Sequence, residues 1–135
     1  MGHTPAEILE YTSTIATVGA SNDPEKSGHT IPKQLMKRGF HVIPINPTHT
    51  EVLGVTAYPD LASVPEKIDT VQAFRPSEEV PEIARAAVAV GAKALWLQEG
   101  IRSDEARQIA EAAGLDCVED QCMAVTAARL GISKG

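Results

Sequence analysis

Aromatic side chains are scarce in this chain, at one Trp, two Tyr and two Phe among 135 residues, so its core must be built from aliphatic groups. Positive charge is also short: the formal net charge is -6, which argues against a protein that wraps nucleic acid or lies on an anionic membrane. Cysteine is limited to Cys117 and Cys122, whose spacing matches neither a redox Cys-x-x-Cys pair nor a zinc knuckle, so they read as a buried thiol and a loop thiol. His3, His29, His41 and His49 share no helical spacing with one another, and no metal site is expected. No long apolar run suggests a membrane span or a secretory leader, so a cytoplasmic location is expected. No Ser-His-Asp, paired-carboxylate or metal constellation can be assembled, and a chain without its own catalytic machinery is expected.

Against these absences stands one informative stretch. The apolar run Thr14 to Val18 stops at Gly19-Ala20-Ser21, and a helix begins after Pro24-Glu25-Lys26-Ser27-Gly28. A strand that ends on a glycine turn and feeds a helix aims backbone N–H groups and a helix N-terminus at one spot, which is how α/β proteins hold phosphate groups. The usual dinucleotide fingerprint is nevertheless missing. Gly19-Ala20-Ser21 lacks the second glycine, and the next strand ends in Ile45-Asn46-Pro47, with an amide where a ribose-binding carboxylate belongs. No Gly-Lys-Ser/Thr follows the loop either, so NAD and magnesium-bound nucleoside triphosphates are both disfavoured.

The rest of the chain alternates strand-like and helix-like segments. A short leading helix is capped at Thr4-Pro5, strand one covers Thr14 to Val18, and a helix is expected from Thr30 to Arg38, with Pro32 in its first turn and Gly39 at its end. Phe40 to Asn46 reads as strand two, with Pro44 where one amide donor is dispensable. An irregular stretch and a helical turn at Leu61 to Val64 precede strand three, Asp69 to Phe74. A helix from Glu78 to Val90, strand four from Lys93 to Leu97, a Ser103-capped helix through Ala113, strand five from Leu115 to Glu119 and a last helix from Met123 to Leu130 complete the chain. The pattern predicts one α/β domain over residues 1–135, a Rossmann-like three-layer fold with a five-stranded, mainly parallel sheet and helices on both faces. If the strand order reverses beside strand one, the crevice at the strand C-terminal ends should gather Gly19, Asn46, Phe74, Trp96 to Gln98 and Asp120 to Cys122.

Several short motifs in order resemble a known family. Val18-Gly19-Ala20-Ser21, Ile45-Asn46-Pro47, Leu53-Gly54 with Ala57-Tyr58-Pro59, Phe74-Arg75-Pro76, Ala94 to Ile101, Ala113-Gly114-Leu115 and Asp120-Gln121-Cys122 are similar to the motifs of the stand-alone CoA-binding domain family. That family is similar to the N-terminal CoA-binding domain of the succinyl-CoA synthetase alpha subunit and of ADP-forming acyl-CoA synthetases, in which other domains carry the phosphorylated histidine and bind the nucleotide. The resemblance implies a small binder of coenzyme A or acyl-CoA, or alternatively the CoA-binding component of a multi-chain synthetase, with a protein partner or a second copy as further partners. It implies that Gly19, Ala20 and Ser21 lie against the CoA diphosphate with Lys26 and Ser27 in the same loop. Asn46, Pro47 and Thr48 would approach the adenosine part, and Phe74, Arg75 and Pro76 would line the cofactor where the synthetases carry a slimmer Val-Pro. From the residues themselves, Trp96 reads as core, and Gln98, just past its strand, as a ligand contact.

Overall fold

The computed structural model describes residues 2–134. The chain opens on a short helix α1 (Pro5–Tyr11) held by a reciprocal cap, in which the Thr4 hydroxyl accepts from the Glu7 amide and the Glu7 carboxylate accepts from the Thr4 amide. Strand β1 (Thr14–Val18) follows, then α2 (Ser27–Lys37), β2 (His41–Ile45), a small hairpin of β3 (Glu51–Val52) and β4 (Val55–Thr56), and β5 (Thr70–Ala73). After β5 come α3 (Val80–Ala89), β6 (Ala94–Leu97), α4 (Asp104–Ala112), β7 (Asp116–Val118) and α5 (Met123–Leu130).

The main sheet has five strands in the order β2-β1-β5-β6-β7, all parallel. Parallel neighbours need crossover helices, and those helices bury both faces, which is why β5 and β6 are buried at every position, the polar Thr70 and Gln72 of β5 included. Successive side chains of one strand serve opposite cores. Ile15 joins Ile8, Leu35, Trp96 and Met123 under α1, α2 and α5, whereas Ala16 joins Ile43, Val71, Ala84 and Ala106 under α3 and α4. The result is the single Rossmann-like α/β domain expected from the alternation of segments, with an aliphatic core in which Trp96 is fully buried.

The strand order fixes where a site can form. From β1 the chain crosses to β2 on one side and then to β5 on the other, so the crossovers diverge at the C-terminal end of β1. Loops leaving there part and open a crevice.

Two local readings need correction. Helix α2 starts at Ser27 rather than Thr30, so Pro32 lies inside the helix and not in its first turn. The stretch after Asn46-Pro47, expected to be irregular, contains the β3-β4 hairpin, whose turn residues Leu53 and Gly54 both take positive φ (58° and 76°) as a two-residue hairpin loop requires. Its register is hidden in the sequence because only two residues pair on each side. Pro44 conforms to expectation: it lies in β2, at the edge of the sheet, and its carbonyl accepts from the Tyr58 amide.

Candidate functional site

A cleft of about 650 Å³ opens at the C-terminal ends of β1, β2 and β5, within the size range of small-molecule sites. Its floor is the glycine turn after β1. Gly19 has φ +90°, and a Cβ there would stand 3.1 Å from the Phe74 Cβ and 3.2 Å from the Arg75 Cδ. Only glycine reaches that conformation without strain and lets the β5 loop close over it. Gly28, at the start of α2, lies so near the turn that a Cβ would be 2.4 Å from the Gly19 carbonyl oxygen. Gly28 therefore provides the close helix-to-strand approach that a later glycine supplies in dinucleotide folds.

The start of α2 is one polar wall. Lys26 occupies the cap position without capping the helix by its side chain. Among the described residues the amides of Ser27 and Gly28 have no protein partner, whereas those of His29 and Thr30 are satisfied by the Lys26 carbonyl. Two N–H groups, the positive end of the helix and the Lys26 ammonium therefore adjoin the cleft, a donor set suited to an anion. Phe74, Ile83 and Pro59 add apolar groups to the lining.

Asn46 at the end of β2 uses both ends of its amide within the protein. Its Nδ2 donates to the Ala20 carbonyl at 3.1 Å, and its Oδ1 accepts from the Thr48 amide, the Thr48 hydroxyl and the His49 amide at 2.9–3.0 Å. It ties the glycine loop to the loop after β2 and presents Pro47 and Thr48 to the cleft. Asn22 extends the brace, donating to the Glu51 carbonyl and accepting from the Leu53 amide. Val52 and Ala57 of the hairpin region bury the Ala20 methyl.

Arg75 projects from the end of β5 and is not a free cation. Its Nε and one terminal nitrogen donate to the two oxygens of Glu79 at 3.0 and 2.9 Å. The pair holds the Glu79 carboxyl below its usual range and pushes the Arg75 guanidinium further up. Glu79, four residues after Arg75, also lines the cleft and was not a candidate from the sequence.

Of the candidate residues, Gly19, Ala20, Ser21, Lys26, Ser27, Asn46, Pro47, Thr48, Phe74 and Arg75 come together around this cleft. Two do not. Pro76 is exposed and turns away into the segment before α3. Gln98 is buried, its Oε1 accepting from Gln72 Nε2 and from the Met123 amide, in a polar row that continues from Gln72 Oε1 to the Thr17 hydroxyl. It bridges the sheet to α5 and does not line the cleft. The expected contribution of Asp120 to Cys122 also fails: Asp120 turns back to accept from the Gly100 amide and Arg102, and Gln121 accepts from the buried Trp96 indole. These segments belong to β6 and β7, farther across the sheet than the point where the crossovers part. Val18, Gly28, Ile45, Pro59, Glu79 and Ile83 also line the cleft and lie outside the candidate residues read from the sequence. Pro59 was legible from the Ala57-Tyr58-Pro59 motif.

A parallel sheet with its crevice at the switch point, a glycine turn and an uncapped helix start defines a Rossmann-like domain with a nucleotide-type cleft. Within that class the chain belongs to the CoA binding domain family, whose model matches residues 13–128. It is 36% identical over 119 residues to the uncharacterised protein YneT of Bacillus subtilis (strain 168), with 88% of each chain covered. It is 28% identical over 127 residues to acetate–CoA ligase (ADP-forming) I of Archaeoglobus fulgidus, covering 87% of this chain but only 18% of the ligase. A hypothetical protein from Pyrococcus horikoshii OT3 superposes with a TM-score of 0.90 at 36% identity, over 96% of this chain and 93% of that one. Among the described residues no helix is long and apolar enough to cross a membrane.

Proposed function

We propose that the cleft binds coenzyme A or an acyl-CoA thioester, and that the chain acts as a CoA carrier or sensor without chemistry of its own. The observation that carries this reading is the start of α2: an uncapped helix with the Ser27 and Gly28 amides unpartnered beside Lys26 at the cleft of a CoA binding domain. A ligand diphosphate would complete those donors as a side-chain cap does elsewhere. The apolar groups of Phe74, Ile83 and Pro59 suit the less polar parts of the same ligand. NAD is a poor fit because Asn46, in place of the ribose-binding acid, spends both ends of its amide on the loops.

A second reading makes the chain the CoA-binding component of a ligase whose catalytic parts lie on another polypeptide. The likeness to less than a fifth of an acetate–CoA ligase favours it.

Titration calorimetry with CoA, acetyl-CoA, NAD and ATP tests the first reading. CoA or its thioester should bind at least tenfold more tightly than NAD or ATP. Equal or tighter binding of NAD would sink it. Recovery of CoA-ligating activity only on addition of a separate chain would favour the second.

A further inference from the structure

The cleft contains its own anion. Glu79 sits in the lining and occupies two donors of Arg75 in a forked pair, while the stem of Arg75 packs against Gly19 at the floor. The guanidinium thus shares the cleft with the helix start that the proposed ligand would approach, but its charge is already answered by Glu79. Both side chains are about half exposed, at 47% and 48%, so the pair is cheap to open. A phosphate offers more charge and more acceptor oxygens than a carboxylate and is the stronger partner for the same fork.

We propose that Glu79 is a gating counter-ion of this site. It holds Arg75 where a ligand phosphate would sit, so that a phosphate-bearing ligand enters by exchanging one anion for another. The proposal rests on the reading of the cleft as a CoA site and adds to it the element that sets affinity. Exchange leaves the Glu79 carboxylate beside a newly bound anion, so the protein holds its ligand less tightly than the Arg75 fork alone would allow. Such a setting suits a chain that must release its ligand. Glu78, the adjacent acid, is exposed and does not line the cleft, which makes it an internal control.

The experiment measures binding of CoA and of inorganic diphosphate to the parent chain, Glu79→Gln, Glu78→Gln, Arg75→Ala and the Arg75→Ala/Glu79→Gln double variant. Glu79→Gln should tighten binding by about two- to fivefold, the scale set by an exposed ion pair. Glu78→Gln should not, and the gain should vanish in the Arg75→Ala background. Unchanged or weaker binding by Glu79→Gln overturns the gate while leaving the CoA reading intact, provided the parent chain binds CoA. A gain that persists without Arg75, or that Glu78→Gln matches, also overturns it by showing a general charge effect. If CoA binds no variant but diphosphate shows the Arg75-dependent gain, the gate stands and the CoA reading falls. If neither ligand binds any variant, both fall.

Discussion

The Ser21 amide donates to the Gly28 carbonyl at 3.0 Å, and Pro32 is the reason that carbonyl is available. In an unbroken helix the Gly28 carbonyl would accept from the amide of residue 32, but a proline has none to give. The freed acceptor is filled from the glycine loop. A proline inside α2 thereby locks Ser21 against the helix start, and the two glycines that touch there, Gly19 and Gly28, allow the approach.

Gly28→Ala tests this joint. The new methyl would meet the Gly19 carbonyl oxygen, a backbone atom that cannot swing aside, at 2.4 Å. We expect a loss of about 1–3 kcal/mol in urea unfolding, the range for overpacking, together with weaker CoA binding because the loop must shift. A variant within about 0.5 kcal/mol of the parent and of equal affinity would show that helix and loop are not held together there.

The fold was largely legible because it rests on features repeated along the chain: apolar runs, caps such as Ser103 accepting from the Ala106 amide, and glycine stops. The placement of α2 was not. Reading Pro32 as a first-turn residue pushed the start to Thr30, since the sequence does not reveal that the Gly28 carbonyl finds another donor. Part of the site was legible for the same reason as the fold: residues that end β1, β2 and β5 must converge when those strands are neighbours. Gln98 ends β6, one strand farther, and its placement depended on which strand ends border the crevice, a long-range fact. The Arg75–Glu79 pair was readable in principle from its spacing, but its position in the cleft depends on how the loop after β5 bends.

Asn46→Asp separates the positioning role of Asn46 from a ligand role. A carboxylate keeps the acceptors for the Thr48 and His49 amides but loses the Nδ2 donor and faces the Ala20 carbonyl with negative charge. We expect about 1 kcal/mol of destabilisation, the net worth of one part-buried hydrogen bond, weaker CoA binding, and no gain in NAD affinity. Tight NAD binding by this variant would show that the position can serve as the ribose acceptor of an ordinary dinucleotide site.

Far from the cleft, Asp116 at the start of β7 anchors the N-terminal segment. Its side chain is only 10% exposed. One oxygen accepts from the His3 amide at 2.9 Å; the other accepts from the Tyr11 hydroxyl at 2.8 Å and lies 2.7 Å from His3 Nδ1. Burial alone would raise the carboxyl, but the hydrogen bonds from the His3 amide, Tyr11 and the His3 ring outweigh it and hold it below 3.8. Tyr11 is pushed above 10.0, by burial first and then by its bond to Asp116. The signs differ for the two groups. Asp116, depressed in the fold, contributes stability that is present above pH 3.8 and drains away as pH falls below it. Tyr11, raised in the fold, contributes stability that is present below pH 10.0 and drains away as pH rises above it. Thermal unfolding followed across pH should therefore show a plateau with both limbs for the parent chain. Asp116→Asn should lower the plateau by about 1–3 kcal/mol through the lost charged acceptor and flatten the acid limb, while Tyr11→Phe should flatten the alkaline one. An acid limb that survives unchanged in Asp116→Asn would mean that other carboxylates govern acid unfolding and that the N-terminal anchor contributes little.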